Sequence, residues 1–388
     1  MFDPVKIITL DVSKPIKDIE NLGGYNKVKI LCKWQNDPLC SLTISVVNNI
    51  CPAELIIKEI ESKASYELIR RFLMISLESG VSLNEKSFEK LISKETTNQV
   101  EQNPLITVAV CTRNRADQLK LCLDSLTKLN YTNTDIIIID NAPDDSSTKD
   151  LVLNNYTHFR YVCEPRPGLN WARNRGVIEA KGDLIAYTDD DVIVDQNWIT
   201  AIAKTFSEEP DTMGITGLVE PYELEEDSHI LFEMYGGFGR GYKPKWINIK
   251  DNYSKRWQYF ITGQFGTGAN MAFRKGIFNV IGFFDNALDV GTVTNGGGDL
   301  DILFRIIKFG YTLKYEPNAL VFHRHRNEFK KLKKQFTDHG TGFYSFIVRN
   351  FKAFPEERKQ IIRLCIYHQV YWNAGRLIHS FIKPMQFP

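Results

Sequence analysis

The chain has 388 residues, 43% of them hydrophobic and 24% charged, which excludes general disorder and leaves room for two or three domains with a sizeable core. Its 48 Lys and Arg balance 47 Asp and Glu, so there is no strongly basic field to hold a polyanion, and nucleic acid is excluded as the main partner. The seven cysteines form an odd set with no CxxC pair and read as reduced, mostly buried thiols.

The N-terminus, MFDPVKIITLDVSK, lacks the basic segment and apolar core of a secretory signal. No apolar stretch approaches the roughly 20 residues of a membrane-spanning helix, so the expected location is the cytoplasm or the periphery of a membrane. Residues 1–92 carry the β-rich runs VKIITLDV, KVKILCKW and LCSLTISVV and then a long helical pattern, AELIIKEIESKASYELIRRFLMISLE. They predict a small α+β accessory domain with no catalytic motif. The polar segment SKETTNQVEQNP, residues 93–104, reads as a linker.

From Leu105 strands and helices alternate: LITVAVCT, ADQLKLCLDSLTKL, TDIIIIDNA, SSTKDLVLNNY, FRYVCE, WARNRGVIEAKG, DLIAYT and NWITAIAKTF. Continuous apolar strands between amphipathic helices argue for a mostly parallel central sheet covered on both faces. The alternation fades after about Glu220 and resumes through TGANMAFR, DILFRIIKFG and TLKYEPNALVFH, which sets the second domain at 105–329. Residues 330–388 read as a C-terminal helical extension. Its stretch RKQIIRLCIYHQVYWNAGRLIHSFIK pairs basic with apolar residues, as a helix packing on the catalytic domain or one lying on a membrane surface would.

Three adjacent carboxylates, Asp189, Asp190 and Asp191, follow the strand DLIAYT, and Asp140 closes the strand IIIID in the same way. Ligands of parallel α/β sheets bind beyond the carboxyl ends of the strands, and like charges there call for compensation. A hard divalent cation carrying a diphosphate would provide it. A strand-end Asp can also cap a helix, but three in a row exceed one cap, and Asp195 ahead of NWI is the better capping candidate. In TNGGGDLDILFR, three glycines leave the backbone free to pass close to a substrate, and Asp299 opens a helix either as its cap or as a functional group. FGTGANMAFR reads as a tight turn before a strand or as part of a site. His323 and His325 alternate after an apolar strand, as hydrogen-bonded histidines or as ligands.

The ordered motifs VAVCTRNRADQLKLCLDSL, IIIDNAPDD, EPRPGLNWARNRGVIEAKGDLIAYTDDD, FGTGANMAFR, GGGDLD and HRHR resemble the family 2 glycosyltransferases, over about Leu105 to Arg326. The resemblance implies the GT-A nucleotide-sugar-binding fold and inverting transfer of a sugar from a nucleotide diphosphate donor to a saccharide or lipid-linked acceptor. By the same resemblance, Asp189 and Asp191 are the outer members of a DXD motif that binds Mn2+ or Mg2+, with His323 as a further ligand, while Asp190 faces the nucleotide or sugar. Thr112, Arg113, Asp140 and Arg173 fall on donor-binding positions, Gly268 and Asn270 line the donor-sugar and acceptor site, and Asp299 is the general base. Gly298 stands where the family carries Glu, which leaves a catalytically weakened sugar-nucleotide binding protein as the alternative. A nucleotidyltransferase ranks last, because CTRNRADQL lacks the glycines of a phosphate loop.

Overall fold

A computed structural model describes residues 2–79, 103–249 and 253–382. The segment expected to be a linker lies outside these residues apart from its last two. The chain divides into two compact units, one of residues 1–99 with 221–230 and the other of 100–220 with 231–388.

In the first unit, β1 (Val5–Asp11) runs parallel to β2 (Lys27–Trp34), which pairs antiparallel with β3 (Asp37–Ser45). Ile56, Ile60 and Ala64 of α1 (Ala53–Ser79) close the core over Val28, Ile30, Leu42 and Ile44. The alternation of apolar residues along β2 and β3 turns one face toward that helix.

The second unit is built on one nine-stranded sheet, ordered β10-β12-β9-β11-β7-β4-β5-β6, with β8 also paired to β12. In chain order its strands are β4 (Ile106–Thr112), β5 (Thr134–Asn141), β6 (Arg160–Glu164), β7 (Leu184–Asp189), β8 (Val192–Val194), β9 (Thr212–Pro221), β10 (Lys245–Ile247), β11 (Asn270–Arg274) and β12 (Thr312–His323). β6, β5, β4 and β7 form the parallel half, and the pairs made by β11 with β7 and β9 and by β12 with β8 and β10 are antiparallel. The parallel arrangement read from the apolar runs therefore covers one half of the sheet. The helices α2 (Ala116–Leu126), α3 (Ser147–Asn155), α4 (Leu169–Glu179) and α5 (Trp198–Glu208) alternate with the strands of the parallel half.

The remaining helices are α6 (Asp227–Met234), α7 (Phe278–Ile281), α8 (Gly298–Lys308), α9 (Phe329–Ala353), α10 (Arg358–Ile366) and α11 (Ala374–Ile382). Two apolar cores sandwich the sheet: Val108, Val110 and Ile138 pack toward Leu119, Leu123 and Trp198, and Ala109, Ile137 and Ile139 toward Ala172, Val177 and Ile302. Phe346 and Ile347 of α9, with Ile361 and Leu364 of α10, form a further core on Phe260 and Phe304. No helix among the described residues is long and apolar enough to cross a membrane. Five cysteines are buried, while Cys163 is exposed and Cys365 partly so.

Candidate active site

The register of the parallel half places polar residues at one edge. Thr112 pairs with Asp140 across β4 and β5, and Cys111 pairs with Asp189 across β4 and β7. The apolar runs fill the middle of the sheet, so polar side chains fall at the strand ends, and those at the carboxyl ends lie where crevices form. Asp140 is fully buried and accepts a hydrogen bond from Tyr161 (2.9 Å) on one oxygen. Its other oxygen, Oδ1, is buried without a partner, and a ligand's donor group would satisfy it. Burial raises its carboxyl, with Tyr161 opposing.

The three consecutive carboxylates have different surroundings. Asp190 accepts from Thr112 Oγ1 (2.7 Å) and from Arg115 Nη1 (3.0 Å). Asp191 faces Arg115 Nη1 (3.4 Å), Arg326 Nη1 (3.6 Å) and His323 Nε2 (3.4 Å). Burial pushes the Asp189 carboxyl up to about 7, with Asp191 and Asp190 adding to the rise and Arg173 opposing it. Burial works to raise Asp191 too, but His323, Arg326 and Arg115 hold it below the usual carboxylate range. Part of the negative charge is thus answered by two arginines from the protein, so a cation would complete the compensation rather than supply all of it. Asp195 makes the local turn instead, accepting from Asn197 N (3.0 Å) just ahead of α5.

His323 begins a relay. Its Nδ1 lies 3.0 Å from His325 Nδ1, and His325 Nε2 lies 3.0 Å from Glu233 Oε1. Burial pushes the His323 ring down to about 4, so at neutral pH it carries one ring proton. With that proton on Nδ1 and donated to His325, Nε2 turns a lone pair toward Asp191: an acceptor faces an acceptor, and a cation between them would satisfy both. Among the described residues no three His, Cys, Asp or Glu side chains converge as a ready metal cage. Two of the three expected ligands nonetheless face each other, and Asp189 lies on the same turn, a mixed carboxylate and imidazole set suited to Mn2+ or Mg2+.

A second group gathers around Arg173 of α4. The buried guanidinium pairs with Asp289 and donates to Asn170 Oδ1 (3.2 Å). Desolvation works to lower its pKa, but Asp289, Asp189 and Asp299 together hold it above the usual arginine value. Asp299 accepts from Gly268 N (2.9 Å) and from the next backbone N–H, of Leu300 (2.8 Å). Burial and Asp289 raise its carboxyl against the pull of Arg173 and these two N–H groups. α8 itself starts at Gly298, with Gly297 in the left-handed conformation ahead of it and no side-chain capping bond. Asp301 is fully buried and tied to Arg305 (2.8 Å) and Asn350 (3.1 Å), which joins α8 to α9.

The glycine triplet has a packing role as well as the one expected of it. A Cβ on Gly297 would meet Gly342 O of α9 at 2.5 Å, and a Cβ on Gly342 would meet the Gly296 backbone at 2.6 Å. The first two glycines let α9 approach closely; the third leaves room for Asp289 and Asn170. Gly268 does lie at the site, since a Cβ there would fall 2.5 Å from Arg173 Nη2. Asn270 sits inside the sheet: its amide donates to Leu218 O (3.0 Å) and Ala319 O (2.7 Å), and its oxygen accepts from Trp198 Nε1 (2.9 Å). Arg113 is exposed beside Thr112. Sequence reasoning passed over Arg115, Arg326, Glu233 and Asp289. The two arginines stand inside the quoted motifs CTRNRADQL and HRHR, whereas Glu233 and Asp289 stand in no motif.

Comparison with known proteins gives a consistent result. Residues 107–282 match the model of glycosyl transferase family 2. The chain is 25% identical over 240 residues to glycosyltransferase AglE of Haloferax volcanii, covering 60% of this chain and 71% of that protein. It is 23% identical over 292 residues to a poly-beta-1,6-N-acetyl-D-glucosamine synthase of Staphylococcus epidermidis, covering 74% of this chain and 66% of the synthase. Among solved structures, a mannosyltransferase of Pyrobaculum calidifontis in complex with GDP-Man and Mn2+ shares the fold, with a TM-score of 0.50 and 16% identity over 73% of this chain and 77% of that one.

Proposed function

We propose, on the premise that this chain carries a glycosyl transferase family 2 domain of GT-A fold over residues 107–282, that it transfers a sugar from a nucleoside diphosphate donor to an acceptor hydroxyl with inversion. The observation that carries this reading is the pairing of β11 with β7 at Asn270 and Thr188, which sets the Gly268 turn, whose N–H holds Asp299, beside the acidic turn that opens with Asp189. Arg173, paired with Asp289 and lying against Gly268, feels the charges of Asp189 and Asp299 alike, which supports donor-binding and proton-accepting groups sharing one site.

Asp140, Thr112 and Arg113 would receive the nucleoside, and the orphaned Asp140 oxygen supports that role. A manganese or magnesium ion held by Asp189, Asp191 and His323 would supply Lewis-acid stabilisation of the departing diphosphate. Asp190, held by Thr112 and Arg115, would face the nucleotide or sugar. Asp299, aimed by Gly268 N–H, would take the acceptor hydroxyl's proton on the face opposite the leaving group, giving a single displacement. Arg173 steadies the charge between these groups, and Asn270 holds β11, from which the Gly268 loop extends.

Leu377, Ile378 and Phe381 of α11 are exposed, which supports peripheral contact with a membrane carrying lipid-linked acceptors. Absence of sedimentation with anionic vesicles at low salt would remove that contact.

The direct test of the function is a melting-temperature screen of nucleoside diphosphates with manganese, since a binder at 100 times its dissociation constant stabilises by about 2.7 kcal/mol. Stabilisation by one base, followed by slow hydrolysis of the matching sugar nucleotide, supports transfer. Binding without any turnover supports the non-catalytic alternative, and no stabilisation by any nucleoside diphosphate contradicts both.

A further inference from the structure

Asp289 lies in the loop between α7 and α8, outside every motif. Its backbone has a φ of 81°, in the left-handed region where an L side chain is strained and glycine is not. Its carboxylate is buried against the equally buried guanidinium of Arg173. Removing both charges from water is costly, and a turn of this shape is made more easily by glycine. What the carboxylate adds is a hold on Arg173 through Oδ2, beside the local hydrogen bond that its Oδ1 accepts from Val290 N (2.9 Å). Asn170 grips the same guanidinium and donates in turn to the carbonyls of Asp285 (2.8 Å) and Leu288 (3.3 Å), so the loop holds Arg173 from two directions.

Two glycines make the space for this arrangement. A Cβ on Gly298 would fall 2.4 Å from Asp289 Oδ2 and 2.4 Å from Asn170 Nδ2. A Cβ on Gly268 would fall 2.5 Å from Arg173 Nη2 and 3.4 Å from Asp299 Cβ. Arg173 therefore rests against the same Gly268 backbone whose N–H aims Asp299.

We propose that Asp289 is a positioning residue of the transfer site: its carboxylate, in the space that a side chain at 298 would need, fixes the Arg173 guanidinium against Gly268 and so sets the loop that orients Asp299. The inference rests on the transfer reading above. It explains the glycine at 298 by geometry, because any side chain there displaces the carboxylate that secures Arg173. Asp289 also contributes, after burial, to raising the Asp299 carboxyl, as a nearby buried anion must.

The test compares wild type, Asp289→Gly, Asp289→Asn, Gly298→Ala and the double variant Asp289→Gly with Gly298→Ala. The readouts are melting temperature and manganese-dependent hydrolysis of UDP- and GDP-sugars. Glycine takes the φ of residue 289 without strain but leaves the buried Arg173 without its partner, so Asp289→Gly is expected to melt several degrees below wild type while remaining folded. Its kcat is expected to fall about tenfold or more, with donor KM changing by less. Asp289→Asn, which keeps an acceptor for Arg173, should retain more turnover than Asp289→Gly. Gly298→Ala should be impaired in the wild-type background and less so in the Asp289→Gly background, a coupling visible in both readouts.

Wild-type kcat in Asp289→Gly, or losses that simply multiply in the double variant, would overturn the inference. So would a lowered melting temperature with unchanged kcat per folded molecule, the signature of a loop anchor and no more. A wild-type protein that turns over no donor contradicts the transfer reading itself and removes the inference with it.

Discussion

The acidic turn after β7 and the glycine turn before α8 both end in carboxylates at one crevice, yet they are built on opposite principles. At the first, three charges are adjacent in sequence and their compensation comes from afar, through Arg115 and Arg326, while the neutral ring of His323 faces Asp191 as a second acceptor. At the second, a single candidate base, Asp299, is set by backbone N–H groups, and the glycines beside it serve close packing against α9 and Asp289. The first turn concentrates charge for a ligand. The second removes side chains so that one carboxylate can be aimed.

The largest effect should come from separating aim from basicity at the second turn. Asp299→Asn should lower kcat by about 10²- to 10⁴-fold, the usual contribution of a general base, measured at saturating donor and acceptor. Asn can accept only one of the two backbone N–H bonds that Asp299 now receives, so a loss of about 1 kcal/mol should appear in denaturant unfolding. Retained turnover with that stability loss would make Asp299 a structural residue. Because burial and Asp289 raise its carboxyl, wild-type kcat should fall as pH drops through that raised value, and Asp299→Asn should lose this limb.

At the first turn the relay behind His323 provides a smaller and more specific test. Glu233→Gln and His325→Ala leave the proposed ligands in place but release the ring that turns toward Asp191. Manganese affinity, measured by calorimetry in the presence of nucleoside diphosphate, should weaken about 10- to 100-fold. Unchanged affinity would reduce the relay to packing among Phe232 and Phe238.

The smallest effect concerns packing alone. Gly342→Ala puts a methyl group 2.6 Å from the Gly296 backbone, and overpacking of that kind costs about 1–3 kcal/mol. Thermal unfolding of this variant separates the two explanations of the glycine triplet. A wild-type melting temperature would return the glycines to substrate access; a clear drop confirms them as the seat of α9.

Much of this was legible in the chain itself. The strands of the parallel half and their helices followed from apolar runs, because a sheet covered on both faces leaves no choice of residue in its interior. Asp189, Asp191 and Asp299 stood out as candidates because charge at a strand end or helix start is locally conspicuous, and His323 through the family resemblance. The sequence did not disclose the partners of those charges. Arg173 and Asp289 are 116 residues apart, and His325 and Glu233 are 92 apart, so their pairing exists only after the sheet has closed. Asn270 stood out beside two glycines in FGTGAN, yet its amide is spent on the carbonyls of Leu218 and Ala319, because an interior sheet position needs its polar groups satisfied. What packs against the glycine triplet was hidden for a related reason: small residues leave space, but only the fold determines what enters it.

The division of labour between the two turns can be tested in one titration, of a stabilising nucleoside diphosphate into Asp191→Ala and Asp299→Asn with and without manganese. The account predicts that Asp299→Asn binds as wild type does, with the same manganese dependence, while Asp191→Ala loses the manganese-dependent part of the affinity. Equal loss in both variants, or manganese dependence intact in Asp191→Ala, would contradict it.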